Sequence, residues 1–205
     1  GEILEAQEVV PAQGHDWQDG TCGVCGATNS NPFVDVPDDS YYIEPVLWAV
    51  KEGITAGTSA TTFSPERIVT RAETVTFLWS AAGKPEPVTG INPFADVTEA
   101  DYFYKAVLWA YERGVTTGVD AAHFGPSQEC TRAQAVTFLY RAVGQPAIEN
   151  RVNPFTDVAY EAYYLRPVMW AVENGVTAGI SDTEFGPDGL CTRAQIVTFL
   201  YKAYH

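Results

Sequence analysis

Basic residues are scarce in this chain. Of 205 residues only 12 are Lys or Arg against 26 Asp or Glu, so the net charge is −14 and the pI about 4.4. Nucleic acids and anionic membrane surfaces both require a basic patch, so neither is expected as a partner. The three histidines, His15, His123 and His205, stand in unrelated contexts. That leaves no repeated Ser/His/Asp or Cys/His arrangement, and there is no phosphate-binding glycine loop. These shortages point away from catalysis. No apolar run reaches the length of a membrane span, so no membrane insertion is expected, and no signal-peptide pattern is visible. Cysteines number four, too few to decide the redox compartment. What is plentiful is apolar surface: 46% hydrophobic and 13% aromatic residues suit a packed core and argue against disorder.

The strongest feature is repetition. Phe33, Phe94 and Phe155 each open a Phe-x-Asp-Val run, and they recur every 61 residues. Trp48, Trp109 and Trp170 keep that period, as do Gly57, Gly118 and Gly179, Pro65, Pro126 and Pro187, and a Thr-Arg-Ala run starting at Thr70, Thr131 and Thr192. No insertion breaks the register. The segments are a non-repeat stretch, 1–31, and three modules, 32–92, 93–153 and 154–205. One such unit buries little core, so the copies are expected to fold as one body.

Each module reads as a first helix, a Gly-rich connection, a Phe-x-Pro turn and a second helix. In copy 1 the first helix is expected over about 44–52, with Tyr42, Val46, Ala49 and Val50 on one face. Pro45 and Pro167 fit a first helical turn, and Gly53, Gly114 and Gly175 fit C-terminal stops. Thr70 to Glu73 reads as a capping box at the second helix, with Gln134 and Gln195 in the glutamate position of the later copies. Ala72, Val75, Leu78, Trp79 and Ala82 form its inward stripe.

Among candidate functional residues the arginines stand out. Arg71, Arg132 and Arg193 occupy the first position of the second helix, where a cation opposes the helix dipole. Three copies of an unfavourable placement in a base-poor chain suggest a task. One reading is an anion-binding corner, the guanidinium beside free helix amides. The other is an ion pair with Asp35, Asp96 or Asp157. Trp48, Trp109 and Trp170 read as core or as sugar-stacking platforms. Gly57, Gly118 and Gly179 read as left-handed turns or as places where a ligand nears the backbone. Cys130 and Cys191 replace Val69 of copy 1, either as small apolar side chains or as a disulfide if the copies meet around an axis.

Together, F-V-D-V, L-W-A-V, G-I-T-A-G, F-S-P and V-T-R-A-E, with their two successors, resemble the S-layer homology (SLH) module over residues 33–205. The resemblance implies a mainly α fold: three two-helix modules in a pseudo-threefold helical bundle with loop-built prongs and ligand grooves between modules. It implies an extracellular, bacterial cell-surface location and a non-catalytic anchor binding secondary cell-wall polysaccharide, often pyruvylated. It carries ligand roles to Arg71, Arg132 and Arg193, to Asp35, Asp96 and Asp157, to the three tryptophans, and to Gly57, Gly118 and Gly179. Copies 2 and 3 depart from it in reading T-R-A-Q, so if the glutamate orients the arginine those grooves are expected to be weaker. The alternative is an SLH-type scaffold for protein contacts. No cofactor is implied, and an upstream cargo domain is expected. In the N-terminal stretch His15, Cys22 and Cys25 look like part of a structural zinc site, lacking a fourth ligand; a local disulfide or two free thiols are the other readings.

Overall fold

The computed structural model describes residues 17–18, 21–22, 31–149 and 152–205. The chain divides into two units, 1–32 and 33–205. In the first, β1 (Trp17–Gln18) pairs antiparallel with β2 (Thr21–Cys22). His15, Cys25 and the Cys22 side chain lie outside the described residues. Among the described residues no group of His, Cys, Asp or Glu is gathered for a metal.

The second unit is mainly helical. Its helices are α1 (Ile43–Lys51), α2 (Arg71–Ala81), α3 (Tyr104–Glu112), α4 (Arg132–Ala142), α5 (Leu165–Glu173) and α6 (Arg193–Tyr204). Each second helix starts at the threonine expected. Thr70, Thr131 and Thr192 accept from the third-residue amide, and Glu73, Gln134 and Gln195 reach back to the cap amide, so all three capping boxes close. The first helices end at Gly53, Gly114 and Gly175, with φ of 66°, 68° and 68°, where a side chain would be strained.

The modules close a ring. α2, α4 and α6 pack on one another at the centre, while α3, α5 and α1 pack outside them on α2, α4 and α6 respectively. Each second helix therefore supports the first helix of the next module, and the third supports the first. The residues ahead of the second helices meet on the axis. Cys130 N donates to Val69 O at 2.9 Å, Cys191 N to Cys130 O at 2.9 Å and Val69 N to Cys191 O at 3.0 Å. All three side chains are fully buried and both cysteines are free, so they serve as small apolar plugs and no disulfide joins them.

Central placement also explains a difference from the expected stripe. Ala72, Val75 and Leu78 are buried, but so are Thr74, Phe77 and Ser80, because α2 has neighbours on nearly every side. Ala82 is exposed, since it lies past the last turn as the C-cap.

Candidate anion-binding grooves between modules

The three arginines act across module boundaries. Arg71 Nε donates to Phe124 O of module 2 at 3.0 Å, Arg132 Nε to Phe185 O of module 3 at 3.1 Å, and Arg193 Nε to Phe63 O of module 1 at 2.9 Å. Each guanidinium is sandwiched by two rings of the receiving module. Arg71 lies 5.0 Å from the Phe124 centroid and 5.2 Å from that of Phe138. Phe185 and Phe199 hold Arg132, while Phe63 and Phe77 hold Arg193. Such contacts contribute about 0.5–2 kcal/mol each. Burial pulls all three guanidinium pKa values below the ordinary arginine value. With so high a starting value, they stay cationic.

Two expectations are corrected here. The helix amides beside the arginines are not free: Arg71 N donates to Gln128 O and Ala72 N to Pro126 O, and the neighbouring turns treat the other two helices likewise. The turn carbonyls satisfy the orphan donors, so only the side chain remains to meet an anion. The aspartates do not pair with the arginines either. Asp96 accepts from Phe124 N and Gly125 N, both at 2.8 Å, and Asp35 and Asp157 hold the equivalent amides of their own modules. Each aspartate thus fixes the Phe-x-Pro turn whose carbonyl receives an arginine.

Near Arg71 the structure has a pocket of about 480 Å³, lined by Arg71, residues 116–119, Gln134, Thr137, Phe138, Arg141 and Tyr163. All three modules contribute. Gly118 is in this wall, whereas the tryptophans and aspartates are not. Trp109 and Trp170 are buried and Trp48 is half-buried; Trp170 packs on Tyr140 and Trp48 on Tyr201, both at 5.6 Å. Trp170 and Trp48 thus sit at seams between outer and central helices, and Trp48 also lines a separate pocket of about 340 Å³. The glycines have a steric reason: a Cβ on Gly57 or Gly118 would come within 2.6 Å of the Phe33 or Phe94 ring, and one on Gly179 within 2.8 Å of Phe155. Gly118 and Gly179 are left-handed and Gly57 is not.

The three junctions differ where an incoming group would be met. Arg193 Nη2 donates to Ala56 O at 2.8 Å, and Arg132 Nη2 reaches Thr177 Oγ1 at 3.4 Å. Arg71 Nη2 is buried and has no hydrogen-bond partner among the described residues, although Arg71 is only 3% exposed. An unsatisfied charged donor at such depth is costly unless a ligand or water completes it. The third helix residue also faces a neighbour's arginine, since Gln134 shares the pocket with Arg71. Glu73 is bridged by Arg67 and lies near Arg193. Burial pulls the Glu73 carboxyl upward, but the Arg67 and Thr70 hydrogen bonds outweigh it and hold its pKa below the usual value.

Comparison with known proteins fits this architecture. A family model described as the S-layer homology domain matches residues 32–75, 93–136 and 154–197. The chain belongs to the S-layer homology family. An endoglucanase of Bacillus sp. (strain KSM-635) is 30% identical over 186 residues, covering 85% of this chain and 19% of that enzyme. The surface-layer 125 kDa protein of Lysinibacillus sphaericus is 35% identical over 56% of this chain and 9% of its own length. A cellulosome-anchoring protein of Acetivibrio thermocellus is 27% identical over 67% and 32% respectively. The matched region is thus a minor part of each longer relative, and in the enzyme it is a module within a much larger protein. The SLH modules make this a cell-wall anchoring unit of a cell-surface protein.

One recurring tyrosine escaped the sequence reading. Tyr41, Tyr102 and Tyr163 are 66%, 68% and 61% exposed, and each stands edge-on to the aromatic residue after it. Burial raises the Tyr163 pKa, against the pull of Arg71 and Arg141. The signal was available, since an aromatic pair recurs with the 61-residue period. Arg141 gave none, because Ser80 and Lys202 occupy its equivalent positions.

Proposed function

We propose that this SLH unit is a non-catalytic anchor that binds secondary cell-wall polysaccharide through an acidic group held in the Arg71 groove. The orphaned Nη2 of Arg71 carries the reading: it is a buried cationic donor without a partner, on a side chain that lines a pocket large enough for a sugar unit. A carboxylate, such as that of a pyruvyl ketal, would complete it. A charge-assisted hydrogen bond of this kind contributes about 1.5–3 kcal/mol. That is weak alone, and a polymer that offers the group repeatedly adds avidity. The names of two relatives, a surface-layer protein and a cellulosome-anchoring protein, agree with the role, and their greater length fits a cargo domain outside the SLH unit.

Co-sedimentation with bacterial sacculi, native and stripped of secondary polymers, tests this. The wild type should pellet with native sacculi only. Arg71→Met should remain in the supernatant while keeping its helical circular dichroism. A folded wild type that ignores native sacculi, or pellets equally with stripped ones, would overturn the reading and favour a scaffold for protein contacts.

A further inference from the structure

The Arg71 groove continues past Arg71. A second pocket, of about 200 Å³, is lined by Tyr140, Arg141, Gln145, Tyr163, Arg166 and Pro167. It shares Arg141 and Tyr163 with the groove, so the two adjoin. Three of the chain's 12 basic residues therefore line one surface of a protein with net charge −14. None of the three, Arg71, Arg141 and Arg166, is held in an ion pair among the described residues, where the pairs are Arg67–Glu73, Lys105–Glu86 and His123–Asp120. Arg141 is steadied by a bond from Nη1 to Val115 O at 3.3 Å, and Arg166 is exposed.

The other junctions lack this arrangement. Ser80 and Lys202 are the repeat equivalents of Arg141, and Glu44 and Lys105 those of Arg166. Lys105 is engaged by Glu86 at 2.7 Å, and Glu44 reverses the charge. At the Arg193 junction Arg67 and Glu73 neutralise each other. The backbone threefold is kept while the charge threefold is broken.

Resting on the reading of the Arg71 groove above, the geometry points to a second anion-binding subsite, built from Arg141, Arg166 and Tyr163. It takes a further acidic unit of the same glycan whose first acidic unit sits at Arg71. The ligand class is then a polysaccharide carrying negative charge on more than one unit, bound chiefly at one of three junctions. Tyr163 forms the wall common to both pockets and offers its ring to the sugar passing between them.

The test uses polysaccharide released from the sacculi that capture the protein, with affinity measured by calorimetry on the full chain. Arg166→Glu copies the residue of module 1, and Lys105→Glu makes the same charge change at the equivalent place in module 2. Loss of a charge-assisted contact predicts that Arg166→Glu weakens polymer binding about tenfold or more. Lys105→Glu should change it by less than about twofold. Both variants should melt as the wild type does, because both side chains are exposed. Undiminished binding by Arg166→Glu overturns the subsite. So do equal losses in the two variants, which would reflect overall charge and not a place. A wild type that binds no released polymer refutes the Arg71 reading beneath it as well.

Discussion

Replacing Gly118 with alanine should cost far more than replacing Gly114, though both residues are left-handed. At Gly114, with φ of 68°, an added Cβ meets nothing within 4 Å. The penalty there is backbone strain alone, about 1–2 kcal/mol. At Gly118, with φ of 86°, the Cβ would lie 2.5 Å from both Asp120 O and His123 O and 2.6 Å from the Phe94 ring. Those atoms cannot retreat cheaply. His123 O accepts from Val119 N at 2.8 Å, and Phe94 is 3% exposed and packed on Phe124 at 5.8 Å. Overpacking adds about 1–3 kcal/mol, giving roughly 2–5 kcal/mol in total. A unit of this size loses about 2–4 °C of melting temperature per kcal/mol. Thermal denaturation followed by circular dichroism, without any glycan, should show Gly118→Ala melting well below Gly114→Ala. Equal melting temperatures would refute the steric account and return Gly118 to a role felt only with ligand present.

Other outcomes follow from the same contacts. Asp96→Ala removes two charge-assisted bonds to the turn that receives Arg71 and should cost about 2–4 kcal/mol in urea denaturation. Thr131→Ala opens one capping box and should cost about 1 kcal/mol by the same assay. Burial pushes the Cys130 thiol up to about 11 and also raises Cys191. A raised folded-state value means that its stability is complete below the unfolded thiol range and lost as pH rises through about 11. Stability measured from pH 8 to 11 should therefore fall, and Cys130→Val, copying Val69, should flatten the fall. A thiol reagent at pH 8 should label both cysteines only in denaturant.

Much of the fold could be read from the chain because each module states it locally. Thr70, Thr131 and Thr192 mark helix starts through short-range capping, and Gly53, Gly114 and Gly175 mark helix ends through left-handed turns. What could not be read was the crossing of module boundaries. Arg71 and Asp96 belong to different repeats, and sequence alone could not show that the aspartate shapes the turn while the arginine donates to it. Nor could it show that neighbouring carbonyls occupy the helix amides. Trp48 and Trp170 pack at helix seams, and periodicity does not separate such packing from ligand contact. Reasoning from repeated residues also favours sites that are alike. The distinguishing features of the Arg71 junction, Arg141 and Arg166, are the ones that do not repeat.

The most direct measurement is side-chain NMR of the three arginines, whose buried guanidinium protons should exchange slowly enough to stand apart from the exposed ones. Titration with released wall polysaccharide should shift the Arg71 Nε–H and Nη–H signals first and furthest, leaving those of Arg193 in place, because its Nη2 is already held by Ala56 O. Unchanged Arg71 signals under conditions where the polymer binds, or a response led by Arg193, would contradict the account.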